Sequence, residues 1–348
     1  MHVPTYEEFK RISIFVKWTL TGNMIVSSIL FPYVIFVILT KSTKEMGSCK
    51  ILLVLITCVS FLLTIVYFLW QPVPIFPFLG GISVGPIEVF GSSGTAMMIP
   101  ISLACQILLT ATIVAGLSHQ FHLLKPTKLS MYVFQSPKTV IIFFAIYTAA
   151  IQAATIILME IAYFTTDMEY DFTHTENQAF RELITEVHLK EETFYGIYMQ
   201  KSGLQIASTI TGYVFLIFHM IVILWYNVQV FKTILKTKGI VSDKTYLIQK
   251  KFLKAFVILS SSAVFLIFGP LILAMTIFMF LLYETVLGIW CFNIVPLGIP
   301  VLYILILVLI HPYRSYTIKK FRSIYTSKVK ERKKDYLHCE NKAISEVG

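Results

Sequence analysis

The stretch TVLGIWCFNIVPLGIPVLYILILVLI, residues 285–310, runs for 26 residues without Asp, Glu, Lys or Arg. About 20 mainly apolar residues in a helix cross the hydrocarbon core of a bilayer, so this segment is long enough to span one. Six further uncharged runs qualify: Trp18 to Thr40, Ile51 to Trp70, Thr95 to Leu117, Thr139 to Met159, Ser202 to Val230 and Ala255 to Tyr283. A membrane barrel would show alternating ten-residue segments instead, so helices are expected. Composition agrees. The 348 residues are 56% hydrophobic and 14% charged, with a mean hydropathy of +0.75, whereas soluble domains carry roughly 45–50% and about 25%. Too little polar surface remains to cover a water-soluble core, which excludes a soluble enzyme and a disordered scaffold. The five cysteines are scattered, with no CxxC pair, which excludes a cysteine-rich zinc site or a disulfide framework.

Basic residues set the expected orientation. With the N-terminus outside, 23 of the 29 Lys and Arg fall in inner segments, seven of them between Phe231 and Lys254. Thirteen of the 19 acids fall outside, nine of them between Glu160 and Glu192. The bias of Lys and Arg toward the cytosolic side therefore predicts N-out and C-in. Mapped this way, the net charge of +10 points to an anionic inner-leaflet lipid and an acidic cytosolic partner, with no nucleic acid. The bland alternative is that these lysines only fix topology. The N-terminal segment has acids near its start and no small-residue cleavage site, so the first span is expected to serve as signal anchor. The expected fold is an all-α integral membrane bundle of seven helices over 1–310, with a basic cytoplasmic tail over 311–348. Ile318, Phe321 and Tyr325 lie at i, i+3 and i+7 among basic residues, which predicts a short amphipathic helix after the seventh span.

Chemistry-bearing patterns are sparse. No GxSxG, HExxH, Walker or GxGxxG pattern stands in a useful context. His119 and His122 are three apart, without the His-rich partner boxes a metal oxidase would need, so no metal, no cofactor and no enzyme are expected. Charge-free spans argue against an ion-coupled transporter. Polar residues do group on helix faces: Ser102, Cys105 and Gln106; Gln205, Ser208, Thr209 and Gly212; Trp290 and Asn293; Gln152 and Thr155. They could be interhelical hydrogen bonds or the polar contacts of a mostly apolar ligand pocket. Pro270 in the sixth span, and Pro296 and Pro300 in the seventh, are candidate hinges. The run QPVPIFPFLGGISVGP, Gln71 to Pro86, is expected to be an outer turn lying on the bundle.

Three motifs carry a resemblance: FLWQPVPIFPFLGG (68–81) after the second span, LIQKKFLKAF (247–256) entering the sixth, and LIHPYRSYTIKKF (309–321) leaving the seventh. In this order and topology the chain resembles the nematode serpentine chemoreceptors of the Str superfamily, classes h and i. The resemblance covers nearly the whole chain. It implies a G-protein-coupled chemosensory receptor of a sensory-neuron membrane that binds a small environmental molecule and activates a heterotrimeric G protein. Ser102, Gln106, Gln152, Gln205, Ser208, Thr209, Trp290 and Asn293 are then the candidate ligand contacts. Lys250, Lys251, Lys254, Tyr313 and Arg314 are the candidates for G-protein coupling. The third span ends in LSHQFH without an acid–Arg pair and the seventh in HPYR in place of NPxxY, so rhodopsin-type switches do not transfer. A seven-span ligand-gated channel or transporter is the alternative.

Overall fold

A computed structural model describes residues 3–43, 46, 49–76, 79–124, 177–197, 203–236, 243–280, 282, 284–323 and 325–326, with a few scattered positions between 138 and 153. Helix α1 (Tyr6–Lys41) begins twelve residues before the expected first span. The cause is local. Thr5 and Glu8 form a capping box, the Thr5 Oγ1 accepting from the Glu8 N–H while the Glu8 carboxylate accepts from the Thr5 N–H, and two of the otherwise orphaned donors are satisfied. The helix then runs 36 residues, about 54 Å at 1.5 Å per residue.

Helix α2 (Cys49–Trp70), a 3-10 turn (Pro86–Phe90), helix α3 (Gly91–Leu124) and helix α5 (Gly203–Lys236) follow. They are joined by α6 (Asp243–Ala263), a π-helical turn (Val264–Phe268), α7 (Gly269–Met279), α8 (Thr285–Leu309) and α9 (311–323). Six helical stretches among the described residues are long and apolar enough to cross a membrane. Most of the expected fourth span, 139–159, Gln152 and Thr155 included, lies outside the described residues. Consecutive helices pack side by side, and α8 returns against α1 and α2 to close the bundle. Val37 and Ile38 of α1, Leu53 and Tyr67 of α2, and Leu302 and Tyr303 of α8 form part of one buried core. Trp18, Ile25, Ile29 and Phe36 stay exposed on α1. A helix apolar on every side suits lipid outside and protein inside.

The sixth expected run is a helix with a π-turn inside it. Pro270 has no N–H to close the turn behind it, and its ring crowds the preceding carbonyl. The chain widens just ahead of it, and the Gly269 N–H donates to the Val264 carbonyl five residues back. Such π-turns are the usual way a helix absorbs this mismatch. Gly298 of α8 sits against Leu266 within the widened turn, where a Cβ would come within 2.9 Å of the Leu266 Cβ.

The QPVP run also differs from a simple turn. Strands β1 (Pro72–Pro74) and β2 (Leu79–Ser83) form an antiparallel hairpin, and β3 (Tyr195–Ile197) extends it on the β2 side. Pro72 and Pro74 occupy the edge strand, where a missing N–H costs no ladder bond. Helix α4 (Gln178–Lys190) covers the sheet, with Phe180, Leu183, Ile184 and Val187 on one face. These pack with Val73, Ile75 and Ile82 against Tyr6, Phe9, Val16 and Leu20 of α1 and Ile289 of α8. The first turns of α1 are thus held by a small second core.

Candidate ligand site and coupling face

The hairpin end of the bundle carries an aromatic enclosure. Tyr67 and Trp70 from α2, Phe292 from α8 and Tyr195 from β3 bring their rings together. Centroids lie 5.7 Å apart for Trp70 and Phe292, 5.8 Å for Tyr67 and Phe292 and 6.5 Å for Trp70 and Tyr195. Gln106 of α3 donates its Nε2 to the Tyr67 hydroxyl at 2.9 Å, with both groups buried. Ser102 and Cys105 are buried on the same helix, and Ser102 donates to the Ile99 carbonyl at 2.9 Å. The grouping of Ser102, Cys105 and Gln106 is thus an interior one.

The Trp70 indole N–H is fully buried with no hydrogen-bond partner among the described residues, and so is the Gln71 Oε1. A buried polar group left this way costs roughly 1–3 kcal/mol. Gln71 holds φ at +43°, an uncommon backbone for a side chain of this size. The turn there is held by Ser83, whose Oγ donates to the Trp70 carbonyl, and by Thr193, whose Oγ1 donates to the Ser83 carbonyl at 3.0 Å. Strained residues persist where their surroundings over-determine them. The helix-face pattern does not single out Trp70 or Gln71, because an aromatic at the end of a span reads as core; only an N–H without a partner among the described residues marks Trp70.

Trp290 and Asn293 point elsewhere. Phe292 and Trp290 are two residues apart, about 200° around a helix, so with Phe292 turned into the enclosure Trp290 faces α1. It meets the Phe15 ring edge-on at 5.3 Å and is 42% exposed. Asn293 donates its Nδ2 to the Ile289 carbonyl at 2.8 Å and to the Pro72 carbonyl of the hairpin at 3.3 Å. Asn23 of α1 donates to the Pro296 carbonyl at 3.1 Å, and Gln71 donates to the Thr21 hydroxyl at 3.1 Å. The candidate contacts therefore divide into an enclosure on the α2–α3 side and a polar seam along α1. For Gln205, Ser208 and Thr209 the helical backbone of α5 is described, while their side chains, and Gln152 altogether, lie outside the described residues.

At the opposite end, Lys250 and Lys254 are exposed on α6; the Lys251 side chain lies outside the described residues. One to two turns further along, the Ser260 Oγ donates to the Asn227 Oδ1 at 2.7 Å and the Asn227 Nδ2 donates to the Ser261 Oγ at 3.3 Å, tying α5 to α6. Tyr313 is fully buried, its hydroxyl 2.7 Å from the Ser42 Oγ, whereas Arg314 is exposed. Tyr33 donates to the Thr317 hydroxyl at 3.2 Å, and Lys41 lies 4.4 Å above the Tyr316 ring. Helix α9 is thereby laid against α1. Ile318, Phe321 and Tyr325 stay exposed.

No curated protein matches the chain. The family model described as "Serpentine type 7TM GPCR chemoreceptor Srh" matches residues 13–323, which takes in most of α1, all the later membrane-capable helices, α9, and the 139–159 run between them. That family is one of chemoreceptors, not of enzymes. Multi-pass in the membrane, built of apolar helices and matched over most of its length, this chain belongs to the Srh family of serpentine seven-transmembrane chemoreceptors.

Proposed function

We propose that the chain is a chemosensory receptor of a sensory-cell plasma membrane, such as that of a neuronal cilium. In this reading it binds a small environmental molecule at the hairpin end, facing outward, and activates a heterotrimeric G protein at the lysine-rich end. The observation that carries the ligand half is the Trp70 N–H, buried without a described partner inside an aromatic enclosure. A ligand presenting one acceptor, such as a ketone, aldehyde or ester, satisfies that donor while its apolar body packs on Tyr67, Phe292 and Tyr195. Such sites are mostly apolar, with a few polar groups that set orientation.

Coupling follows from differential affinity. A ligand that prefers one conformer of α6 shifts the population toward it. The widened turn at Val264–Phe268 provides the place to bend, and the exposed Lys250 and Lys254 provide a face for an acidic partner. In this reading the α9 lysines lie on the anionic inner leaflet, each contributing about 1 kcal/mol. The test is a panel of volatile carbonyl compounds on expressing cells with a second-messenger reporter. A response that needs the G protein and loses potency in Trp70→Phe is expected. Ligand-evoked ion flux in reconstituted vesicles without any G protein would favour a ligand-gated channel.

A further inference from the structure

We propose that the cytosolic corner between α1 and α9 binds an inner-leaflet lipid whose headgroup carries more than one phosphomonoester, of the phosphatidylinositol bisphosphate class. Lys41 at the end of α1 and Lys320 of α9 flank one pair of rings, Phe36 and Tyr316, whose centroids lie 6.4 Å apart. The Lys41 Nζ sits 4.4 Å above Tyr316, and the Lys320 Nζ lies 5.8 Å from Phe36 and 5.3 Å from Tyr33. A lysine seated on an aromatic face has given up rotamer freedom before a ligand arrives, so less is lost on binding. Lys319 and Arg322, both exposed, stand beside Lys320 on α9.

The balance of charge separates this corner from an ordinary solvated face. At the outer end of α1 a similar arrangement is closed within the chain. Lys190 lies 4.1 Å over the Tyr6 ring, Glu186 is 3.6 Å from the Lys190 Nζ, and Glu191 accepts from the Tyr6 hydroxyl at 2.7 Å. At the inner end no Asp or Glu stands among residues 31–43, 49–56 or 311–326, and the neighbouring Glu45 lies outside the described residues. The cations there call for an anion from elsewhere. Basic clusters just cytosolic of a span attract anionic headgroups. A phosphatidylserine headgroup, with about one net charge, offsets a single ammonium. One phosphomonoester carries about −1.5 to −2, so two on one headgroup match Lys41, Lys320 and the cations beside them. The acyl part has its own surface, because Phe36, Ile318 and Phe321 are exposed on the same two helices. A soluble inositol phosphate makes no use of that surface, which favours the lipid.

Such a lipid bridges α1 and α9, adding to the Tyr33–Thr317 bond that already joins them. The inference rests on the receptor reading for the inward orientation of α9 and deepens it, replacing general attraction to the leaflet with one defined headgroup site. Its test needs neither G protein nor carbonyl ligand. The full-length receptor in neutral detergent, where no leaflet potential concentrates anions, is titrated with dioctanoyl phosphatidylinositol bisphosphate, and bound lipid is counted by native mass spectrometry. One lipid per receptor is expected, at concentrations roughly tenfold below those needed for dioctanoyl phosphatidylserine. Lys41→Gln with Lys320→Gln should weaken binding roughly thirtyfold, about fivefold per cation. Removing the same charge from α5, with Lys232→Gln and Lys236→Gln, should leave it unchanged. Inositol trisphosphate, the soluble headgroup, should bind more weakly than the lipid. Equal affinity for the serine and bisphosphate lipids, or equal loss in the two double variants, would reduce the corner to summed charge and overturn the site. Equal binding of the soluble headgroup would overturn the lipid as occupant. Those results leave G-protein signalling by carbonyl compounds untouched. Conversely, absent signalling with selective lipid binding sinks the signalling reading and not this one.

Discussion

At the scale of single residues, Gln106 and Trp70 make opposite predictions although they share one enclosure. Gln106 is paired, its Nε2 bonded to the buried Tyr67 hydroxyl at 2.9 Å. Gln106→Leu strands that hydroxyl and should destabilise the receptor by about 1–3 kcal/mol. Adding Tyr67→Phe removes the stranded group as well, so the double variant should recover most of the loss in a thermal-denaturation assay. Additive losses would mean that the bond contributes nothing. Trp70→Phe removes a donor that has no partner among the described residues. It should leave thermal stability of the empty receptor unchanged or slightly raised, while weakening response to a carbonyl ligand roughly three- to tenfold. Gln106 could be read from sequence, because a polar residue in an apolar run stands out. Trp70 could not, since its chemistry lies in a bond that is not made.

At the scale of elements, the long apolar helices were legible because length and lack of charge suffice. The departures arise from short-range chemistry. The early start of α1 is written in the Thr5–Glu8 box, and α4 in the spacing of Phe180, Leu183, Ile184 and Val187 behind the Asn177 cap. That spacing was available, but the acids around it make the segment read as a loop. The three-stranded sheet was not legible, since its edge strand holds two prolines and its third strand comes from a distant segment. The lysines entering α6 carry the prediction for this scale. Lys250→Glu with Lys251→Glu should abolish G-protein activation while ligand binding and surface expression persist. The same reversal at Lys319 and Lys320 should weaken it less, because Tyr313 and Tyr33 already hold α9 to α1. Full signalling from the α6 variant would leave its lysines as topology signals alone.

For the whole molecule, orientation decides which end meets the environment. The 23-to-6 division of basic residues predicts that the hairpin, α4 and the acidic segment before it face outward. An epitope inserted among residues 167–176 should be stained on intact cells, and one placed after Lys330 only after permeabilisation. The reverse pattern would put the aromatic enclosure in the cytosol and discard the ligand proposal.

The cover over the hairpin end has a consequence for how the chain is made. Its pieces are far apart in sequence: Thr193 grips Ser83 across 110 residues, and the Thr285 hydroxyl donates to the Phe76 carbonyl across 209. At a synthesis rate of about 5–20 residues per second, the latter interval is roughly 10–40 s. Through that time the hairpin has left the ribosome without Thr285 and Cys291 of α8, beside which Phe76 is buried. The last membrane-capable helix to emerge completes the cover, so a nascent chain truncated before α8 should expose Phe76 to quality control.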